Sequence, residues 1–222
     1  GSSPDPCSET YRGVTAFSEP ETQAVRDFVD QRDFKIALNY HSYSNLLLYP
    51  FGYTYNNPMN QDDLDTFIEY AQDMTQFNNY QWGTGTDILY AVNGEACDWM
   101  YGVHGIFAYT PEVGSSSDGF WPPSNRIVPL AEENLYPNIR AALYGGAVLS
   151  SSIVLEDGPY LGGEYFSIDI DLNNIGLSST EVNTLIEFSS PTDIEFYPSV
   201  VTIGEIDPRS GVYLDGITSM YI

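Results

Sequence analysis

Positive charge is what this sequence has least of. Its 222 residues carry 7 Lys or Arg against 31 Asp or Glu, a formal net charge of −24. A surface of that sign repels phosphate backbones and anionic bilayers, which excludes nucleic acid as a partner. No apolar run approaches the ~18–20 residues that cross a bilayer as a helix, so no membrane span is expected. The two cysteines, Cys7 and Cys97, are too few for a disulfide scaffold and too far apart for a metal-type pair. There are two histidines, His41 and His104. The chain opens on Gly1-Ser-Ser-Pro, which is loop chemistry and not a charged-then-apolar leader. The expectation is that it starts within a longer protein.

What is present is the material of a folded chain. Hydrophobic residues make up 42% and aromatics 14%, and the acids are scattered singly among them, so a core forms and disorder is excluded. Few lysines and many Asp, Asn, Ser, Thr and Tyr lean towards a secreted protein.

Taken in order, residues 1–18 read as loop. A helix is expected over residues 18–32, with Ser18 as its cap, Glu21 closing a capping box, and Val25, Phe28 and Val29 on its buried face. Residues 34–40 read as a strand of a sheet covered on both faces. It delivers His41 to its C-terminal end, where open α/β sheets place their ligands. Residues 46–49 are a second apolar run. A helix is expected over 62–77, burying Leu64, Phe67, Ile68, Ala71 and Met74. The glycines of residues 78–102 suggest a long irregular segment. A strand follows over 105–110, with Glu112 just past its end. A last helix is expected over 124–144, kinked at Pro137, with Ile127, Leu130, Leu135, Ile139 and Ala142 buried. From Gly145 the period changes to two: Phe166, Ile168, Ile170 and Leu172 alternate with Ser167, Asp169, Asp171 and Asn173. Further strands are expected over 182–188, 194–197 and 200–203, at sandwich spacing. The fold class is therefore α/β, part of a mixed twisted sheet with helices on both faces over residues 1–144. A smaller all-β sandwich follows over 145–222, stopping short of closing; its residues 166–176 and 203–211 resemble the Ig-like or adhesion-related sandwich modules appended to secreted bacterial enzymes.

His41 alone is an ordinary core histidine, and Glu112 alone an ordinary solvated acid. At the C-terminal ends of two strands of one layer, they are the minimal parts of metal-assisted hydrolysis: a histidine to hold a metal and a carboxylate to take a proton from water. Tyr90, in a glycine-rich segment, is a phenol able to reach a substrate.

Four stretches carry a family resemblance. Residues 3–13 (SPDPCSETYRG), 41–53 (HSYSNLLLYPFGY), 90–99 (YAVNGEACDW) and 107–112 (FAYTPE) resemble, in order and spacing, segments of the zinc carboxypeptidases of the carboxypeptidase A and T type. The resemblance implies a secreted metallocarboxypeptidase acting on peptide or protein C-termini with zinc-activated water. His41 would be the second histidine ligand of the zinc. Glu112 would be the general base. Ser42 and Tyr43 would line the pocket, and Tyr90 would close over the substrate. Cys97 would lie at the pocket floor, where a neutral thiol in place of an acid implies an apolar or mixed preference, and Glu95 would admit Lys or Arg. It also implies that Cys7 pairs with a cysteine upstream of this chain. Asp98, Trp99 and His104 read as structural, and Pro111 departs from the family's usual residue. The family's first zinc ligands form a His-x-x-Glu motif, which occurs nowhere in this sequence. The expected reading is the C-terminal part of such an enzyme, inactive alone, with the missing N-terminal part as a partner. The rival reading is an inactive binding or structural component docking through its sandwich and exposed sheet.

Overall fold

The computed structural model describes residues 2–155 and 157–222. Backbone contacts divide it into two compact units, residues 1–142 and 143–222.

The first unit is built on a four-stranded mixed sheet in the order β1-β4-β2-β3. Its strands are β1 (Ile36–Leu38), β2 (Leu46–Tyr49), β3 (Gln81–Thr84) and β4 (Phe107–Glu112). β1 runs parallel to β4, β4 antiparallel to β2, and β2 parallel to β3. All four residues of β2 are buried, as a central strand requires. β1 lies at the sheet edge and is only half-buried, so the expectation of a strand covered on both faces fails there. Glu112 is the last residue of β4 and not a residue beyond it.

The helices depart from the sequence reading where local signals compete. α1 (Pro20–Asp30) is capped at Glu19, not Ser18, whose hydroxyl instead donates to Glu19 Oε1 at 2.8 Å. Of its expected buried face only Val29 is buried; Val25 and Phe28 are exposed. α2 (Gln61–Thr75) begins at Asn60, whose Oδ1 accepts from Asp63 N at 2.9 Å. Phe67, Tyr70, Ala71 and Met74 are fully buried, each large side chain contributing about 1.5–3 kcal/mol by leaving water.

Residues 78–102 are not irregular. They hold β3, a short α3 (Gly85–Ile88) and α4 (Ala96–His104). Gly83 is a strand residue whose missing side chain lets Ile88 pack onto it: a Cβ there would meet Ile88 Cγ2 at 3.1 Å. α4 ends on Gly105, in the left-handed region at φ 68°.

The expected long C-terminal helix is three pieces: a 3₁₀ turn (Ser124–Arg126), α5 (Ile127–Glu132) and α6 (Leu135–Tyr144). The break is at residues 133–134, where Asn134 Nδ2 bonds back to Leu130 O at 2.9 Å. Pro137 sits in the first turn of α6, where a missing N–H costs nothing. The break resets the helical phase. Leu130 is buried as expected, but Ile127, Leu135, Ile139 and Ala142 are exposed and Ala141 is buried instead.

The second unit contains strands β5 (Leu149–Leu155), β6 (Tyr165–Asn174), β7 (Leu185–Glu187), β8 (Glu195–Tyr197), β9 (Val200–Thr202) and β10 (Ser210–Tyr221). Four form a sheet in the order β5-β6-β10-β8, and β7 pairs with β9. Ile168, Ile170, Leu172, Ile206 and Met220 make its core, so the period-two alternation of residues 165–174 is an inside-outside alternation.

Candidate active site

β1 continues past Leu38 as a looser ladder alongside β4. Asn39 N donates to Tyr109 O at 2.8 Å, His41 N to Pro111 O at 2.9 Å, and Val113 N to His41 O at 2.9 Å. These bonds set His41 and Glu112 directly beside each other as a bridge pair. Burial raises the pKa of the Glu112 carboxyl, and the neighbouring His41 works against that rise. Asn39, two residues before His41 and so on the same side of the chain, lies with its amide 3.1 Å from His41 Nε2.

A cavity of roughly 190 Å³ opens at this pair. His41, Leu48, Thr110 and Glu112 line it from the sheet, and Tyr90, Val92 and Glu95 from the segment between α3 and α4. Tyr90 is 57% exposed. Glu95 is largely buried, and burial pushes its carboxyl up to about 7, against the opposing effect of the hydrogen bond from Thr110 Oγ1 to its Oε1 at 2.8 Å. The charges of Asp98 and Glu112 push in the same direction as burial.

Gly52 holds the loop against that carboxylate. Its N–H donates to Asp98 Oδ1 at 3.0 Å and its carbonyl accepts from Val92 N at 2.9 Å. A Cβ at Gly52 would come within 2.6 Å of Glu95 Oε2 and 2.9 Å of Val92 Cγ2.

The cavity thus brings together His41, Tyr90, Glu95 and Glu112. Ser42, Tyr43 and Cys97 are not among its lining residues. The Ser42–Tyr43 peptide is cis, and the Tyr43 ring meets Phe120 edge-on at 4.9 Å. Cys97 is buried behind Thr110, its Sγ 3.0 Å from Thr110 Oγ1, in a cluster with Val29, Ile106 and Ala108. His104 lies on α4, 3.1 Å from Asp30 and edge-on to Trp99. Leu48, Thr110, Asn39 and Gly52 escaped the sequence reading. Period two in β4 is the signal that would have found Thr110, since it faces the same way as Glu112.

As a metal centre the arrangement is partial. A catalytic zinc takes three protein donors and a water. Among the described residues no three His, Cys, Asp or Glu gather in a way that holds a metal. His41 is one donor, so the residues present do not by themselves fit the ion.

Comparison with known proteins follows the same geometry. A sequence model of the zinc carboxypeptidases matches residues 1–137. The chain is 39% identical over 140 residues to carboxypeptidase B of Astacus astacus, covering 60% of this chain and 46% of that protein. It is 36% identical over 138 residues to carboxypeptidase A1 of Bos taurus, covering 60% and 33%. Bovine thrombin-activatable fibrinolysis inhibitor, solved in complex with tick carboxypeptidase inhibitor, superposes with a TM-score of 0.58 at 29% identity, covering 64% of this chain and 50% of that one. The chain therefore spans about half or less of the length of the relatives it matches. With the family model over more than half of its residues, this chain belongs to the zinc carboxypeptidase family.

Proposed function

We propose that this chain is the C-terminal part of a secreted zinc metallocarboxypeptidase that hydrolyses the last peptide bond of peptides and proteins. The single observation that carries the reading is the His41–Glu112 pair, fixed side by side at the mouth of a cavity that also takes Tyr90 and Glu95. His41 contributes one donor to the zinc, and the other donors come from the part of the enzyme that lies outside this chain. Glu112 takes a proton from the attacking water and returns it to the leaving amine, a role suited to a carboxylate whose pKa is raised by burial. Tyr90, exposed at the rim, folds over the substrate and bonds its backbone. Ser42 and Tyr43 contribute substrate contacts beside His41. The acid-rich, lysine-poor composition supports an extracellular setting.

Glu95 gives the cavity a mixed preference, apolar side chains when it is neutral and Lys or Arg when it is charged. Cys97, neutral and small behind Thr110, adds no charge of its own to that choice. The second unit is an Ig-like sandwich module appended to the catalytic part.

The test is hydrolysis by the complete zinc-loaded parent protein. It should release the C-terminal residue from N-blocked dipeptides with a free carboxylate and leave their C-terminal amides intact. Release from the amides alone, or from neither, would sink the reading. This chain by itself, titrated with zinc, should show no binding tighter than a single imidazole gives.

A further inference from the structure

The outward face of the four-stranded sheet in the second unit holds a group of tyrosines that neither the core nor the peptidase reading uses. Phe166, Ile168 and Ile170 turn towards the core, so Tyr165, Ser167 and Asp169 turn the other way. Strand register sets Tyr221 of β10 beside Tyr165 of β6 and Glu195 of β8, and Ser219 beside Ser167 and Tyr197. The ring centroids of Tyr165 and Tyr221 are 4.8 Å apart at 42°, and those of Tyr165 and Tyr197 6.0 Å apart at 65°. Tyr165 is 63% exposed and Tyr197 51%. The Tyr197 hydroxyl donates to the Glu195 carboxylate, which fixes that acid at the edge of the rings.

We infer that Tyr165, Tyr197 and Tyr221, with Glu195, form a binding site for arginine and lysine side chains of a basic polypeptide segment. The ring geometry comes first. Sugar-stacking surfaces use aromatic faces lying flat and level, whereas these faces are inclined by 42° and 65°. Inclined faces let one cation lie within about 6 Å of more than one π-system, each contact adding about 0.5–1 kcal/mol at an exposed site. Charge comes second. Residues 143–222 carry twelve acids and one base, Arg209, so the field around the rings favours a cation. Among the described residues the two cations seated over aromatic rings are Arg26 and Arg32, both in the first unit, and of the three tyrosines here Tyr165 and Tyr197 are exposed while Tyr221, packed against Tyr165, is part-buried. The inference stands on the second unit alone and does not depend on the peptidase reading.

The probe is the blocked peptide acetyl-Arg-Arg-Arg-amide, titrated into the full chain and followed by tyrosine fluorescence and NMR. Saturable one-to-one binding is expected, with the matching tri-citrulline peptide at least tenfold weaker. The double variant Tyr165→Leu/Tyr197→Leu keeps every charge and should bind at least fivefold more weakly. Tyr165→Phe keeps the ring and the Tyr197–Glu195 bond and should bind within twofold of the unaltered chain, and native NMR dispersion of the Leu double variant separates ring loss from unfolding. Tyr213→Leu, elsewhere on the same face, should change nothing. Equal binding by the Leu double variant would reduce the effect to net charge and overturn the inference. So would equal binding of the citrulline peptide, or a preference for tetramethylammonium over the arginine peptide.

Discussion

Thr110 Oγ1 donates to Glu95 Oε1 at 2.8 Å, so the cavity's part-buried acid hangs on a hydroxyl that comes from the same strand as Glu112. The bond lowers the pKa of Glu95, yet burial wins and leaves it at about 7 against 4.5 for a free glutamate. The folded chain therefore holds this proton more tightly than the unfolded chain. Protonation favours folding, and stability falls as pH rises from about 4.5 through about 7. The shift corresponds to on the order of 3 kcal/mol at most. Glu95→Gln should raise the melting temperature by roughly 5 °C at pH 8 and leave it almost unchanged at pH 4.5. Equal effects at both pH values would mean that Glu95 is not desolvated in the folded chain.

The proposed role of Glu95 in the pocket carries a second prediction from the same titration. In the zinc-loaded parent, the ratio of kcat/KM for C-terminal Arg over C-terminal Leu should rise as pH goes from 6 to 8, because Glu95 gains its charge across that interval. A change of about tenfold is the scale that one ionised pocket residue supplies. Glu95→Gln should flatten the profile and lower the ratio at pH 8. A ratio that does not move with pH in the unaltered protein would remove Glu95 from the pocket's selectivity.

Glu112→Gln keeps the shape of the side chain and removes its ability to take a proton. In the parent protein kcat should fall by about 10²–10⁴, the usual scale of general acid–base catalysis, with zinc content unchanged. Metal analysis beside kinetics checks this. Loss of zinc in the variant would make Glu112 a metal ligand and not a base.

How much of this was legible in the sequence differs by element. β2 and α2 were legible, because a run of Leu46, Leu47, Leu48 and Tyr49 suits a central strand and the spacing of Phe67, Ala71 and Met74 suits only a helix face. His41 and Glu112 were readable as strand-end residues, and the bonds of His41 to Pro111 and Val113, on either side of Glu112, are what a parallel pair produces. Residues 78–102 were misread since glycine signals turn or close packing alike. At Gly83 the cause was Ile88 lying on the strand, a tertiary contact that no local pattern records. The C-terminal helix was misread for the complementary reason. Asn134 folding back onto Leu130 breaks it, and a proline three residues later drew the expectation to the wrong place.

Cys97 and Cys7 offer a contrast that needs no enzyme. Both thiols are free, Cys7 exposed and Cys97 buried. Burial raises the pKa of the Cys97 thiol, with the Glu95 charge acting in the same direction, and the thiolate is the reactive form. In the native, reduced chain at pH 8, a maleimide or disulfide reagent should modify one thiol promptly, with the second at least about a hundredfold slower. Denaturant should release the second. Peptide mapping would show which is which, and prompt modification of Cys97 would contradict its burial behind Thr110.

Tyr80 ties the segment that follows Glu112 to the turn between α5 and α6. Its ring is buried, and its hydroxyl donates to Glu133 Oε1 at 2.8 Å, accepts from Asn134 Nδ2 at 3.1 Å and lies 3.5 Å from Gly114 N. Gly114 is two residues past Glu112, and its carbonyl in turn takes Asn45 N at 2.9 Å. Burial lifts the Tyr80 hydroxyl to about 12, so it stays protonated and donating throughout the working range. Tyr80→Phe keeps the ring and deletes the one atom on which these groups converge. Leaving buried partners without their bond costs about 1–3 kcal/mol, and the melting temperature should drop by roughly 3–10 °C. If the cluster also holds Glu112 in place, kcat of the zinc-loaded parent should fall more than KM rises, since a displaced base is felt in the proton transfer and not in substrate binding. An unchanged melting temperature would mean that the cluster contributes nothing to stability. A change confined to KM would mean that it supports the cavity wall and not the base.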